Sequence, residues 1–310
     1  MSEEKTKYDI IIIGAGPAGY TAGIYCSRAR HNTLLISGIL PGGQLMNTTD
    51  VENYPGFDQG IMGPDLMLTM RKQTERMGTK IIDDEVVSVD LKNNPLKVST
   101  ASSTFEANSV IVCTGANPRK IGLDGEQTFA GKGVSYCATC DGAFFKNQEL
   151  IVVGGGDSAM EEATFLTKFA STVHIVHRRD GFRASKIMQE RALSNEKIKV
   201  HFNYTVDDIQ GDQKFQKVIL KNVKNDEKIS LDAGGLFVAI GHEPNSKIFE
   251  GQIELDENGY VVLKNNTETS VPGVFCAGDV HDHRYRQAIT AAGFGCMAAI
   301  DADKYLAEQK

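Results

Sequence analysis

The chain has 310 residues, with 33 Lys and Arg against 40 Asp and Glu for a formal charge of −7. That length accommodates two domains with separate cores, and the acidic balance, with no broad basic stretch, argues against a nucleic-acid partner. The four isoleucines Ile10–Ile13 are too short a run for a membrane span or signal segment, so the expectation is a cytoplasmic protein with no membrane partner.

Residues 8–37, YDIIIIGAGPAGYTAGIYCSRARHNTLLIS, read as strand, glycine turn, helix and second strand. In such a dinucleotide-binding unit Gly14 makes the tight turn, Gly16 lets the backbone approach a pyrophosphate, and Gly19 lets the helix pack on the strand. Pro17 and Ala18 open the helix, whose amides face the phosphates. The unit ends in LLISGILPGGQL without the acid that would hold a ribose. Ser37 is expected to contact the adenosine ribose instead, with Gly42 and Gly43 leaving room for the cofactor backbone. Gln44 and Asn53, in GGQLMNTTDVENYPGF, are further cofactor-binding candidates. A helical stretch follows near 63–77, then short β-type runs near 80–90 and 96–100. IIDDEV (81–86) reads as a solvated turn, and ANSVIVCTGANPR closes the block.

Next comes YCATCDGAFF (136–145), with Cys137 and Cys140 two residues apart. There is no second C-x-x-C, which favours redox chemistry over a zinc site. Cys26, Cys113, Cys276 and Cys296 lie among apolar residues and read as small buried hydrophobes. Asp141 follows the pair and is either a turn or capping residue or a proton carrier for it.

The first unit recurs at 149–177, ELIVVGGGDSAMEEATFLTKFASTVHIVH. Gly154, Gly156 and Ala159 occupy the three small-residue places, with Asp157 and Ser158 opening the helix. Gly14 to Ser37 and Gly154 to His177 are both 23 residues. The second copy runs on as HRRDGFRA, so Arg178, Arg179 and Arg183 follow His177 where a 2′-phosphate would lie, which points to NADPH. The first copy is then the flavin site. Ile240 and Gly241, in GGLFVAIGHEPN (234–245), end this block. TGANPR and IGHEPN each place a proline after a glycine and read as the two linkers of an inserted domain. VPGVFCAGDV (271–280) is a strand ending in Gly278 and Asp279, the latter suited to cofactor hydroxyls. The final helix begins around Arg286, Gln287 and Ala288, placing its positive end beside a flavin. Gly293 and Gly295 are expected to allow close packing, and HDH (281–283) to hold no metal.

GAGPAGYTA, GGQL, VENYPG, CATCDG, GGGDSAMEEA, HRRDGFRA, AIGHEPN and GVFCAGDV…YRQAITAAG, in this order, resemble the low-molecular-weight, bacterial-type thioredoxin reductases over nearly the whole chain. The resemblance implies an α/β fold of two Rossmann-like dinucleotide-binding domains. The FAD domain would comprise 1–117 and 245–310, and the inserted NADPH domain, 118–244, would carry the dithiol. It further implies a homodimer passing electrons from NADPH through FAD to the cysteine pair and on to thioredoxin. In the family pattern Cys140 faces the flavin, Cys137 exchanges with the substrate disulfide and Asp141 moves the proton. Cys113 and Cys276 fall where the family often has alanine. The rival acceptor is a peroxiredoxin or another small dithiol protein. Since dithiol and nicotinamide site share one domain and must both reach one flavin, TGANPR and IGHEPN are expected to act as hinges.

Overall fold

Lys7–Ile13 forms strand β1, and its isoleucines divide by parity between two apolar clusters. Ile10 and Ile12 join one, Ile11 and Ile13 the other, on opposite faces of the sheet. A parallel strand covered on both faces therefore reads as an unbroken apolar run, and each isoleucine so buried contributes about 1.5–3 kcal/mol. The structure is a computed structural model that describes residues 6–39 and 41–309. After β1 come helix α1 (Pro17–Arg28) and strand β2 (Thr33–Ile36), parallel to β1. Helix α2 (Gly63–Arg76) carries a proline in its first turn and buries Leu66, Met67, Met70 and Thr74. Across the sheet the order is Lys80–Ile82, β2, β1, Thr104–Val112, Leu96–Thr100 and Val86–Asp90.

The middle of the chain repeats the plan. Helices α3 (Asp124–Thr128) and α4 (Ala138–Asp141) precede the strand Glu149–Val153, and α5 (Asp157–Leu166) and α6 (Lys186–Leu193) follow it. A five-stranded parallel sheet runs in the order Val134–Ser135, Gly235–Val238, Glu149–Val153, Thr172–His177 and Ile198–Phe202. Leu150 and Val152 face the helices, while Ile151 joins the opposite cluster with Val206, Ile209, Phe215 and Val218. That opposite cover is an antiparallel sheet of Tyr204–Gly211, Phe215–Asn222 and Lys228–Asp232.

The chain then returns to the first sheet. Val274–Cys276 pairs in parallel with Thr104–Val112, and helix α7 (Ala288–Glu308) lies on α1. The helices meet at backbone distance: a Cβ on Gly295 would overlap the Ala18 carbonyl. Gly293 differs from expectation, since a Cβ there would meet nothing within 4 Å. The α/β class with two parallel-strand sheets is as expected from the sequence.

The chain divides into two compact units, Met1–Asn117 with Glu243–Lys310, and Pro118–His242. Ala116–Pro118 and His242–Pro244 pair as a short ribbon, flanked by Gly115 (φ +68°) and Gly241 (φ +102°). Among the described residues no helix is long and apolar enough to cross a membrane.

Candidate functional site

Gly14 adopts φ +107°, and a Cβ there would overlap the carbonyl of Cys113, at the end of the neighbouring strand. Gly19 sits equally tightly on the Gly14 carbonyl. Gly16 is the opposite case: a Cβ would meet nothing within 4 Å. It is the N-cap of α1, Pro17 begins the helix, and no side chain caps the first amides. Those amides are open to an anion above Gly16. The second glycine pair lies over this turn, with the Gly42 N–H donating to Ala15 O at 3.0 Å and Gly43 packed on Gly16.

Ala18 lies under Gly278, at which a Cβ would come 3.1 Å from the Ala18 Cβ. Next to it, Asp279 Oδ1 is buried without a hydrogen-bond partner. Burial first, then the charge of Asp282, pushes the Asp279 carboxyl up to about 7, with Arg286 opposing. A buried acceptor left open in this way calls for a hydroxyl from a ligand. Asp282 accepts from the N–H groups of Arg284, Tyr285 and Arg286 at 2.9–3.2 Å, holding the loop that leads into α7. Gln287 caps α7 reciprocally with Thr290, just before Ala288, and accepts from Asn53 Nδ2 at 3.2 Å. Gln44 donates to Asn117 at 2.7 Å. Ser37 Oγ lies 2.8 Å from both Gly38 O and Asp83 Oδ1.

The second turn reproduces the first. A Cβ on Gly154 would overlap the Ala239 carbonyl and come 2.7 Å from the Ala159 Cβ, while one on Gly156 would meet nothing within 4 Å. Gly156 is the N-cap of α5, again without a side-chain cap, and Ser158 is half-buried in the first turn. Gly155 packs against the His177 ring and its carbonyl accepts the Arg183 N–H at 2.8 Å. Burial, with the charges of Arg183, Arg178 and Arg179 adding to it, holds the His177 imidazole below its usual range. The three arginine side chains are exposed and form no ion pair among the described residues. Asp157 Oδ1 is already engaged, accepting from Ser185 N–H at 2.8 Å and Ser185 Oγ at 2.9 Å, which ties α5 to the start of α6. Ile240 and Gly241 follow the strand Gly235–Val238.

Cys137 and Cys140 form a disulfide with Cα atoms 5.3 Å apart. Cys137 is the extended N-cap of α4 and half-buried, whereas Cys140 is exposed. Asp141 Oδ2 accepts from the buried Ser135 hydroxyl at 2.6 Å, and Ser135 Oγ accepts the Cys137 N–H at 3.0 Å. Burial raises the Asp141 carboxyl above the usual range, with the Ser135 hydrogen bond opposing. Sequence reasoning missed Ser135, because no motif spacing links it to Asp141.

The acids of IIDDEV lie on a solvated connection between the strands Lys80–Ile82 and Val86–Asp90, as expected, with Asp83 and Glu85 exposed, and one of them has a partner. Arg71 chelates Asp83 through Nη1 and Nη2 at 2.8 and 2.9 Å. Burial pushes the Cys26 thiol up to about 12 and raises Cys113 and Cys276 likewise, as befits small hydrophobes. Cys296 is half-buried beside Tyr25. His281 stacks edge-on against Phe294 with ring centres 4.4 Å apart, its pKa lowered to about 4, chiefly by burial. No cluster of metal-ligating side chains occurs among the described residues.

The chain is 55% identical over 302 residues to a thioredoxin reductase of Streptomyces clavuligerus, covering 96% of this chain and 94% of that one. It is 53% identical over 310 residues to a thioredoxin reductase of Mycolicibacterium smegmatis, covering both chains in full. Among solved structures, a thioredoxin reductase from Giardia duodenalis matches with a TM-score of 0.94 at 44% identity, over 98% of this chain and 100% of that one. The profile of the pyridine nucleotide-disulphide oxidoreductases matches residues 8–295, and the chain belongs to that family.

Proposed function

We propose that the chain is an NADPH-dependent thioredoxin reductase, a flavoprotein that passes electrons from NADPH to the Cys137–Cys140 pair and on to oxidised thioredoxin. The observation carrying this reading is the pairing of that disulfide with two glycine turns of one geometry on a single chain. Both turns suit a dinucleotide: Gly16 and Gly156 leave room for a pyrophosphate, and α1 and α5 present uncapped amides to it. In the first unit the open Asp279 oxygen suits a hydroxyl of FAD, and in the second the unpaired Arg178, Arg179 and Arg183 suit the 2′-phosphate of NADPH. When bound, FAD supplies the conversion between a hydride and a pair of thiols.

The chain's own residues carry the exchange with the partner. The Cys137 thiolate attacks the partner's disulfide and expels one partner sulfur as thiolate. Cys140 then forms the S–S bond to Cys137, its proton passing to Asp141, while the second partner sulfur leaves with the bonding pair. One partner sulfur takes the proton from Asp141 and the other takes one from solvent, so two electrons and two protons reach the partner. Thioredoxin's couple lies near −270 mV, about 30 mV being worth roughly 1.4 kcal/mol, so a strongly reducing donor such as NADPH is required.

The finer reading is a cytoplasmic homodimer whose inserted unit swivels on the glycine-flanked ribbon between half-reactions. The purified protein should be yellow, bleach anaerobically with NADPH far faster than with NADH, and reduce thioredoxins in preference to peroxiredoxins. A colourless protein after reconstitution with FAD, or thioredoxin turnover that survives Cys140→Ser, would overturn the proposal.

A further inference from the structure

A serine hydroxyl has one hydrogen to give and lone pairs to receive with. At Ser135 the receiving side holds the Cys137 N–H at 3.0 Å. The hydrogen has two candidate acceptors, Asp141 Oδ2 at 2.6 Å and Cys137 O at 3.4 Å. The first distance is that of an O–H···O⁻ bond and the second is at the limit of a hydrogen bond, so the hydrogen belongs to Asp141. Ser135 is itself buried, 5% exposed, on the strand Val134–Ser135, and water does not compete for it.

We propose that Ser135 is a positioning residue of the dithiol reaction: it keeps Asp141 Oδ2 permanently in use as an acceptor, so the proton Asp141 exchanges with the sulfurs is carried on Oδ1. The proposal rests on reading Cys137–Cys140 as the working disulfide. In its absence a neutral Asp141 could hold its proton on either oxygen, and only one of the two arrangements would serve. The same bond stabilises the carboxylate and so sets the pH at which Asp141 gives the proton up, against the burial that favours the neutral form. Tyr136, bonded to Glu126, flanks the turn; the adjacent helix α5 carries Asp157, Glu161 and Glu162, and Gly142 packs on Phe165, over whose ring Lys168 lies. The influences on Asp141 itself are burial and the Ser135 hydroxyl.

The test uses the oxidised holoenzyme and dithiothreitol, with no nicotinamide or protein partner. A dithiothreitol thiolate attacks Cys137, the S–S bond breaks with its electron pair going to Cys140, and the Asp141 proton follows that pair. The second dithiothreitol thiol then gives its proton to solvent, closes the ring and releases Cys137 as thiolate. Samples are quenched with N-ethylmaleimide and the labelled cysteines counted by mass spectrometry. The rate is divided by the dithiothreitol thiolate fraction and followed from about pH 5 to pH 9.

In the wild type the normalised rate should fall as Asp141 loses its proton. In Ser135→Ala that fall should move upward by about one pH unit, because burial is then unopposed. Ser135→Thr, which keeps the hydroxyl, should restore the wild-type position, and Asp141→Asn should show no fall. If Ser135→Ala fails to retain flavin, Ser135→Gly serves as the hydroxyl-free variant. A fall at the wild-type pH in the hydroxyl-free protein, no fall in the wild type, or a Ser135→Thr profile displaced as far as that of Ser135→Ala would each overturn the proposal. Dithiothreitol replaces both natural substrates, so a displaced profile beside failed thioredoxin turnover counts against the acceptor and leaves Ser135 standing.

Discussion

Ser37 at the end of β2 hydrogen-bonds across 46 residues to Asp83, its Oγ 2.8 Å from Asp83 Oδ1. The first glycine unit carries no acid at its second strand, yet the adjacent parallel strand Lys80–Ile82 delivers one there. Arg71 holds the Asp83 carboxyl below its usual range, with burial opposing and Ser37 assisting. The side chain is half exposed, so Asp83→Asn should cost only about 1 kcal/mol at neutral pH. A depressed carboxylate stabilises the fold above its unfolded pKa, near 3.9, and loses that contribution as pH falls through the lower folded value. Urea midpoints of the two proteins should therefore differ at pH 7 and converge in strong acid; a constant gap would show that charge is not involved.

The glycines of each turn differ in kind, and alanine should separate them. Gly14→Ala forces a Cβ into the Cys113 carbonyl at φ +107°, and should destabilise the first unit by about 3 kcal/mol or more. Gly16→Ala has free space and an ordinary backbone, φ −81°, so the protein should fold but take up flavin at least tenfold more weakly. Gly156→Ala should likewise fold, but keep its flavin and bind NADPH more weakly. Melting curves beside cofactor titrations check this, and equal loss of fold in Gly14→Ala and Gly16→Ala would contradict it.

Asp279 should make the flavin-free protein sensitive to pH in the opposite sense to Asp83. Its folded pKa, about 7, lies above the unfolded one, so the charge opposes folding increasingly between about pH 4 and pH 7. Asp279→Asn should stabilise the apoprotein at pH 8 by on the order of 3 kcal/mol, with no gain near pH 4. It should also weaken flavin binding. Apoprotein melts across this range are the measurement; a variant less stable at pH 8 would refute it.

The ribbon of Ala116–Pro118 and His242–Pro244 is the only passage between the units along the chain. If the units must swivel, a disulfide engineered between them should abolish turnover, leave flavin bound, and release activity on reduction. Undiminished turnover in the cross-linked protein would remove the requirement.

Much of this was legible in the sequence for a physical reason. A strand buried on both faces shows as a run such as Ile10–Ile13, and Gly14 and Gly154 occupy places where a Cβ cannot go. The antiparallel sheet of 204–232 escaped notice because one of its strands, Lys228–Asp232, is half exposed and mostly polar. Ser135 and Asp83 escaped because their hydrogen bonds are made by the folded topology, and nothing local signals either. Asp157 is a like case: its Oδ1 accepts from Ser185, 28 residues on, a tie that no motif spacing announces.

The contact of Gly295 with the Ala18 carbonyl has a consequence for how the molecule is made. Helix α1 rests against α7, which is made about 270 residues later, so the βαβ unit of residues 7–36 must wait, its apolar face uncovered, until α7 has emerged. Pro118–His242 has every strand and helix of its core within its own span and is free to mature meanwhile. Residues 118–242 should thus become protease-resistant before residues 7–36 do, which pulse proteolysis of stalled nascent chains would reveal, and simultaneous protection of both would disprove.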